Sequence, residues 1–454
     1  MMIKIQQGNE EINSNGGNIL TGALLQLESM KKMNQLTATR IKHGEISHSD
    51  ILKCQIALSS LGRSDFANVD LFRNDLLFKE AFNLPKVPSA ETLRQRLNDL
   101  ALCNEKQTLL DDGNVELLKK ITDFGKIQTP YTQYIPLDMD VSVMLQPNCK
   151  KEGVEWTYHN ANGYAPIFCH VGTHGYMLAN ELRNDSQHSA KGAVEFLKRC
   201  INQAKQIGLP MEQLLLRADS AHDDADYIQA AFEAEIFFLI KRNLRSDCKE
   251  QYLAIARRAG VKVTTRDGKN VYRCILSHRK VAGLEHLPIF MIVEVTERLT
   301  DANGEELLIP DVEVSTWWTN LPENEAVCIE LYRDHATSEQ FHSEFKTDMG
   351  IESLPSGKFA TNALVLNLAA LAYNCLRYIG QQALTCKDVL PTKVEVMRRR
   401  LRSVLQDLIY VGCKFTRHAN TIIIKFASSA LCEKASTRYA SYELEMLLDV
   451  FEGD

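Results

Sequence analysis

Residues 134–145 read Tyr-Ile-Pro-Leu-Asp-Met-Asp-Val-Ser-Val-Met-Leu, and their alternation constrains the fold more than any other segment. Ile135, Leu137, Met139, Val141 and Val143 fall on one face of an extended strand, and Asp138, Asp140 and Ser142 on the other, because strand side chains alternate with period two. The apolar face requires a partner layer. Carboxylates inside a sheet are costly unless they are paired, hydrogen-bonded or ligating a metal. One short stretch therefore predicts both a sheet core and a site.

The segments that follow extend this core. Ala165–Val171 and Tyr176–Leu182 read as strands. Ala190–Ile207 reads as a helix with Ala193, Val194, Leu197, Cys200, Ile201 and Ala204 along one face. Leu214-Leu215-Leu216 is a buried strand running into Arg217-Ala218-Asp219-Ser220. Tyr227–Ala234 is helical and Ile236–Ile240 extended. Residues 131–243 thus form the first part of an α/β core. Residues 1–130 read as a helical N-terminal region, either a DNA-binding one whose last helix docks in a major groove or a plain helical bundle. Leu20–Leu36 has helical spacing, Ser47-His48-Ser49-Asp50 opens a helix, and Ser89 caps Ala90–Leu100 with Glu91 in the first turn. In that last helix Leu93, Leu97 and Leu100 point inward, with Arg94 and Arg96 away from the stripe.

Residues 244–320 break the rhythm and read as a β-rich insertion. Val261–Thr265 and Val271–Leu276 flank the hairpin signal Asp267-Gly268, and Pro288–Val295 and Val312–Trp318 are strand-like. Trp317 and Trp318 suit strand packing, or stacking on an unpaired base. Residues 321–385 return to the core and include an apolar helix, Ala360–Gln381. Residues 386–454 read as a helical, basic region, with a helix over Val394–Tyr410, a strand over Thr421–Phe426 and a helical end.

Composition narrows the class. With 454 residues and 45% hydrophobic content, core material is ample for two to four domains without staples. The twelve cysteines are scattered with no Cys-x-x-Cys pair, which argues against a disulfide framework or zinc ribbon. Cys169, His170 and His174 lack the second ligand pair a zinc site needs. Asn367 and Asn374 interrupt the longest apolar run, and Gln6, Glu10 and Glu11 stand where a leader would be apolar. The expectation is a cytoplasmic, nucleoid-associated protein with no membrane segment. Net charge is -6, yet residues 241–280 hold twelve Lys/Arg against three Asp/Glu, and 393–418 hold seven against two. Such asymmetry is the footprint of a polyanion partner, with Arg257 and Arg258 as candidate contacts.

Three acids stand out: Asp140 on its strand, Asp219 where a leucine strand ends, and Glu339 on a helix. Tyr332, His335, Glu339, His342 and Lys346 are spaced three, four, three and four apart and share one helical face.

The run Tyr332-x-x-His335-x-x-x-Glu339-x-x-x-x-x-x-Lys346 resembles the Tyr/Arg/Glu/Lys signature of a large branch of bacterial insertion-sequence transposases of the DDE class, with His335 standing where Arg is usual. Leu137–Ser142, Leu216–Ser220, Thr319-Asn320-Leu321, Ala370–Asn374, Gly16-Gly17 and Phe72-Arg73-Asn74-Asp75 are similar to other blocks of that branch. The resemblance implies a ribonuclease-H-like core interrupted by a β-rich insertion. It implies Asp140, Asp219 and Glu339 as catalytic metal ligands for two Mg²⁺ ions, with Mn²⁺ able to substitute. Tyr332, His335 and Lys346 would contact DNA, His335 with less grip than a guanidinium. The partners implied are double-stranded DNA (inverted-repeat ends and target) and a second copy of the chain in the reacting complex. Many members pass through a hairpin on the element end. Asp138 shares a strand face with Asp140 and is its rival as first acid; Ser142, two residues beyond Asp140, matches the acid-x-Thr pattern of the branch. The competing readings are a catalytically inactive or repurposed DNA-binding protein and a host nuclease of similar fold.

Overall fold

The computed structural model describes residues 12–37, 45–147, 149–156, 161–184, 192–301, 303–385, 395–418 and 421–426. A short strand β1 (Ile12–Asn13) precedes six helices: α1 (Asn18–Leu24), α2 (Glu28–Lys32), α3 (His48–Ser60), α4 (Leu76–Ala81), α5 (Ala90–Leu100) and α6 (Lys106–Leu118). Local chemistry sets their starts. Ser47 and Asp50 make a reciprocal capping box on α3, and Ser89 accepts from Thr92 N at the head of α5. The expected continuous helix over Leu20–Leu36 is instead α1, α2 and a 3₁₀ turn.

The main sheet is built from β3 (Gln133–Val141), β7 (Ile167–Val171), β8 (Tyr176–Glu181), β9 (Leu214–Ala218) and β10 (Phe237–Arg242). A short strand β2 (Ile127–Gln128) pairs with the start of β3, and a small sheet of β4 (Met144–Leu145), β5 (Glu155–Trp156) and β6 (Asn162–Tyr164) lies between β3 and β7. Helices α7 (Ala193–Gln206) and α8 (Ala225–Glu233) connect β8 to β9 and β9 to β10. The spatial order is β8-β7-β3-β9-β10, with β3, β9 and β10 mutually parallel, β7 antiparallel to β3, and β8 antiparallel to β7.

After β10 come helix α9 (Lys249–Ala259) and strands β11 (Val261–Arg266), β12 (Lys269–Leu276), β13 (Phe290–Thr300) and β14 (Glu306–Thr319). Helix α9 is absent from the sequence reading, because a basic, turn-flanked stretch masked its apolar face of Tyr252, Leu253 and Ala256. These strands are not a separate module. β14 pairs antiparallel with β10, so they prolong the main sheet to the order β11-β12-β13-β14-β10. Their side chains also enter both core layers. Met291, Val293 and Trp318 join the layer of α7, α8 and α9, while Ile292 and Trp317 pack with Tyr134, Leu215 and Leu239 against α10 (Glu325–Arg333). Trp317 and Trp318 are both buried. They fill the sheet interior, and no base-stacking surface is offered.

The chain continues through α11 (Ser338–Ser343), the long α12 (Phe359–Thr385), α13 (Leu401–Val404) and the hairpin β15 (Cys413–His418) and β16 (Thr421–Phe426), which β1 completes as a third strand. Helix α12 is long and apolar enough to cross a bilayer, but 78% of its most apolar window is buried inside the protein. The neighbouring sheet edge accounts for its buried Asn374. β8 is a sheet edge with unpaired backbone groups. Asn374 accepts from Met177 N at 2.8 Å and donates to Met177 O at 2.8 Å, while Asn114 of α6 donates to Leu178 O at 2.8 Å. The N-terminal helices share one buried cluster with α12 and residues 401–411, so they form no core of their own.

A second brace joins the helix carrying Glu339 to the C-terminal segment. Glu344 is buried and accepts from Arg377 Nη2 at 2.8 Å, Arg398 Nη2 at 3.0 Å and Leu401 N at 2.9 Å. Arg399 pairs with Asp407, and Arg400 and Arg402 pair with Asp348. The expected basic helix over Val394–Tyr410 is therefore corrected. Arg398–Arg400 precede α13 in irregular backbone, and the basic residues of this patch from Arg398 to Arg402 bind acids of the protein itself. The expected helical end lies outside the described residues. Removing Glu344 leaves Arg377 buried without its carboxylate, so Glu344→Ala is expected to cost about 3–5 kcal/mol, measured by urea unfolding at pH 7.

Candidate active site

Strand register builds the site first. β3 and β9 run parallel with Asp138 opposite Arg217 and Met139 opposite Ala218, so Asp140 and Asp219 follow side by side where the two strands end. Carboxyl ends of parallel strands are where α/β sheets present functional groups. Asp219 caps a 3₁₀ turn, its Oδ1 accepting from Ala221 N at 3.1 Å and lying 2.9 Å from His222 Nδ1.

The signature segment supplies the third acid. It is a continuous helical run but not one regular α-helix. α10 gives way to a 3₁₀ turn over Asp334–Thr337, then α11, then a wider π turn over Glu344–Asp348. These changes of pitch rotate the stripe along its length. Glu339 is exposed, Tyr332 half-buried, and His335 and His342 buried. Among the described residues Asp140, Glu339 and His342 form a group whose ligand atoms all lie within 4.8 Å of one another. The structure thus brings Asp140 and Glu339 to ligand distance. Asp219 stands beside Asp140 through strand register, but its carboxylate turns to Ala221 and His222 and lies outside that group.

The two rival aspartates on β3 have opposite environments. Asp138 is 2% exposed and grips Arg217 in a bidentate pair, with Nε and Nη2 at 2.6 and 2.7 Å. His335 Nδ1 lies 2.9 Å from its Oδ1. Burial pushes the Asp138 carboxyl up, but Arg217 and then His335 outweigh it and hold the group well below the usual carboxylate range. Asp140 has no such cation in hydrogen-bond contact. Burial, joined by the charges of Asp219 and Glu339, raises its pKa to about 7 against the pull of His335 and the Val141 N–H. A carboxylate destabilised by its own neighbours gains most from a divalent cation. That electrostatic contrast separates the two aspartates: Asp138 is neutralised by Arg217, and Asp140 has no cationic partner at hydrogen-bond distance.

His335 and Lys346 both make contacts within the protein. His335 is 7% exposed and faces Asp138, with the tilted ring of Tyr332 centred 5.7 Å from its own, so it is turned into the protein. Lys346 Nζ donates to Val143 O at 3.0 Å, just beyond the end of β3. Tyr332 lies close enough to Asp219 and Asp140 for their charges to raise its hydroxyl further, after burial. Arg96 is also turned inward, donating to Ile46 O at 3.0 Å and lying 2.9 Å from His48 Nδ1, while Arg94 is exposed and paired with Glu91. Of the cations over 241–280, Arg242, Arg245, Arg257 and Arg273 bind acids, and Arg257 engages Glu297. Arg258 is exposed on α9. Cys169 packs in the layer of α7 and α8, and the His170 ring lies 5.1 Å from that of Phe341; among the described residues neither belongs to a metal-ligating group.

Sequence reasoning missed the Asp138–Arg217 pair. The signal was present, since Arg217 precedes Asp219 by two residues as Asp138 precedes Asp140, and parallel strands place equal offsets on one face.

Acids at the ends of two adjacent parallel strands, joined by a third from a helix, define a carboxylate site suited to divalent cations. A family model described as the transposase DDE domain, group 1, matches residues 1–445, and the chain belongs to that family. It is a DNA transposase, and enzymes of the DDE class use divalent metal ions. One solved structure similar to this chain is the piggyBac transposase synaptic complex with hairpin DNA, at 12% identity and a TM-score of 0.42, covering 87% of this chain and 79% of that one. No curated protein matches the sequence.

The contrast between the two aspartates is measurable. Asp138→Asn is expected to lower stability by about 3–5 kcal/mol at pH 7, because Arg217 loses its counter-charge. Asp140→Asn, measured in EDTA, moves the other way. The folded-state pKa of Asp140 is raised, so its carboxylate imposes no cost below 3.8, a growing cost as pH rises to about 7, and a constant cost above. The Asn variant should therefore gain on wild type across that window, by on the order of 2–4 kcal/mol at the plateau.

Proposed function

We propose that the protein is the transposase of a bacterial insertion sequence, acting in the cytoplasm on nucleoid DNA, with Asp140, Asp219 and Glu339 as its catalytic acids. The carrying observation is the convergence of Asp140 and Glu339, from elements far apart in the chain, on one group at ligand distance, with Asp219 brought alongside by strand register. The sheet order β8-β7-β3-β9-β10, with its three parallel central strands, supports a ribonuclease-H-like core. The strands β11–β14 and helix α9 then correspond to the insertion between second and third acids.

The donors fit hard divalent ions such as Mg²⁺ or Mn²⁺, because they are carboxylate oxygens whose mutual repulsion a cation relieves. Two such ions, when bound, activate the attacking oxygen and stabilise the leaving one. The protein's own residues set the geometry for this. The Asp138–Arg217 pair holds β3 and β9 in register, Arg217 Nη1 donates to Leu331 O at 2.7 Å, and the helix bearing Glu339 is thereby pinned over both strand ends. Asp140 and Asp219 are supplied by rigid strands, and Glu339 by a helix braced through Glu344. In this reading water first cleaves at the inverted-repeat end, and the freed 3′-hydroxyl then attacks target DNA, with two copies of the chain pairing the two ends. Tyr332 and Lys346 flank the acids and are placed to meet the DNA backbone near the cut.

A supercoiled plasmid carrying the inverted repeats that flank the gene tests this. Wild type should nick it in Mg²⁺ or Mn²⁺ and join the ends to target. Asp140→Asn, Asp219→Asn and Glu339→Gln should each bind the repeats and abolish nicking. Binding by wild type without nicking in either ion would favour a repurposed DNA-binding protein, and cleavage indifferent to the repeats a nuclease.

The α9 face tests the DNA surface separately. Arg258→Glu should weaken binding to all sequences alike and lower the slope of affinity against salt by about 1. Arg257→Glu should also destabilise the fold, since it sets a second acid against Glu297. Unchanged affinity in Arg258→Glu would remove α9 from the DNA interface.

A further inference from the structure

Buried polar groups in folded proteins are almost always hydrogen-bonded, and His342 departs from that rule beside the candidate active site. It is 2% exposed, and neither ring nitrogen has a hydrogen-bond partner. Its ring lies 5.2 Å from that of Phe168 and 5.4 Å from that of His170. His222 Nδ1 lies 2.9 Å from Asp219, and His335 Nδ1 lies 2.9 Å from Asp138; His170 is buried and equally unpartnered, but among the described residues it joins no ligand group with the acids. His342 Nδ1 instead stands 3.8 Å from Asp140 Oδ2, too far for a hydrogen bond. Two donor atoms each about 2.1 Å from one cation lie roughly 3.0–3.4 Å apart, so a shift of a few tenths of an ångström seats both on one ion. Glu339 belongs to the same group.

We infer that His342 is a nitrogen ligand of the divalent ion held by Asp140 and Glu339, and that it biases this site toward Mn²⁺ and other nitrogen-accepting cations over Mg²⁺. The inference rests on the catalytic assignment above and adds a donor to it. A neutral imidazole carries a lone pair on one ring nitrogen that a cation can accept. Imidazole suits later first-row ions, whereas Mg²⁺ takes oxygen donors and retains its waters. The helical pitch supports the placement. Glu339 and His342 are three residues apart within α11, so one face carries both. The π turn that follows does not separate them.

The full-length protein with Mn²⁺ as the probe tests this without turnover. Pulsed electron paramagnetic resonance should show coupling of bound Mn²⁺ to one histidine ¹⁴N, and the pattern should change to that of ¹⁵N when the protein is grown on ¹⁵N-histidine. The coupling should vanish in His342→Leu and persist in His222→Gln. In His342→Leu, Mn²⁺ affinity should fall by about 10–100-fold with Mg²⁺ affinity little changed. The wild-type measurement alone can overturn the inference even if His342→Leu folds poorly, because bound Mn²⁺ without histidine coupling excludes His342 as a ligand. Mn²⁺ bound without nitrogen coupling, or coupling that survives His342→Leu, overturns the inference and leaves the carboxylate site standing. Failure of wild type to bind Mn²⁺ at all overturns both this inference and the assignment of Asp140 and Glu339 as metal ligands.

Discussion

The buried pair between Asp138 and Arg217 is the constraint on which the site depends. It joins two parallel strands, β3 and β9, at the level just before each ends. Arg217 also reaches Leu331 O at the end of α10, and His335 closes on Asp138 from the turn that follows. Three chain segments that must present three acids are thereby tied through one ion pair. Buried pairs are weak evidence for net stability. Their use here is geometric, because a bidentate guanidinium–carboxylate contact tolerates little sliding or rotation.

Around that pair the protein separates charges by role. Asp138 is neutralised by a permanent cation, so its field is largely cancelled. Asp140, two residues on, is half-buried beside like charges and raised to about 7. The destabilised carboxylate is the one that lies in the group with Glu339 and His342, and the stabilised one holds the strands together. His335, at the position where the family resemblance expects a DNA-contacting arginine, belongs to the second group. A guanidinium there would meet Arg217 across a carboxylate already held twice, whereas a histidine adds one hydrogen bond.

The remainder of the chain supports the site from outside. Asn374 and Asn114 satisfy the exposed edge of β8, and in doing so dock α12 and the N-terminal helices onto the sheet. Glu344, Arg377 and Arg398 then fasten the helix bearing Glu339 to the C-terminal segment. Much of the positive charge that looked like a nucleic-acid footprint over 398–402 is consumed in these internal pairs. The exposed Arg258 on α9 is a different case, since it projects from a helix end.

The alternation over 134–145, the leucine strand ending at Asp219 and the spacing around Glu339 were legible in the sequence, because hydrophobic periodicity is a local property that survives any tertiary context. So were the caps at Ser47 and Ser89 and the hairpin at Asp267-Gly268. Helix α9 and the true start of α13 were not, since basic residues that pair with distant acids look, in one dimension, like a solvated or DNA-facing surface. Period-two geometry puts Asp138 and Asp140 on one face and has no means of ranking them. Only the tertiary structure did so, by bringing Arg217 from a neighbouring strand to one and Glu339 and His342 from a distant helix to the other. The chain by itself determined which residues carry charge and how they face; which charges are cancelled and which are left to act depended on groups hundreds of residues away, because electrostatic energy is set by separation in space.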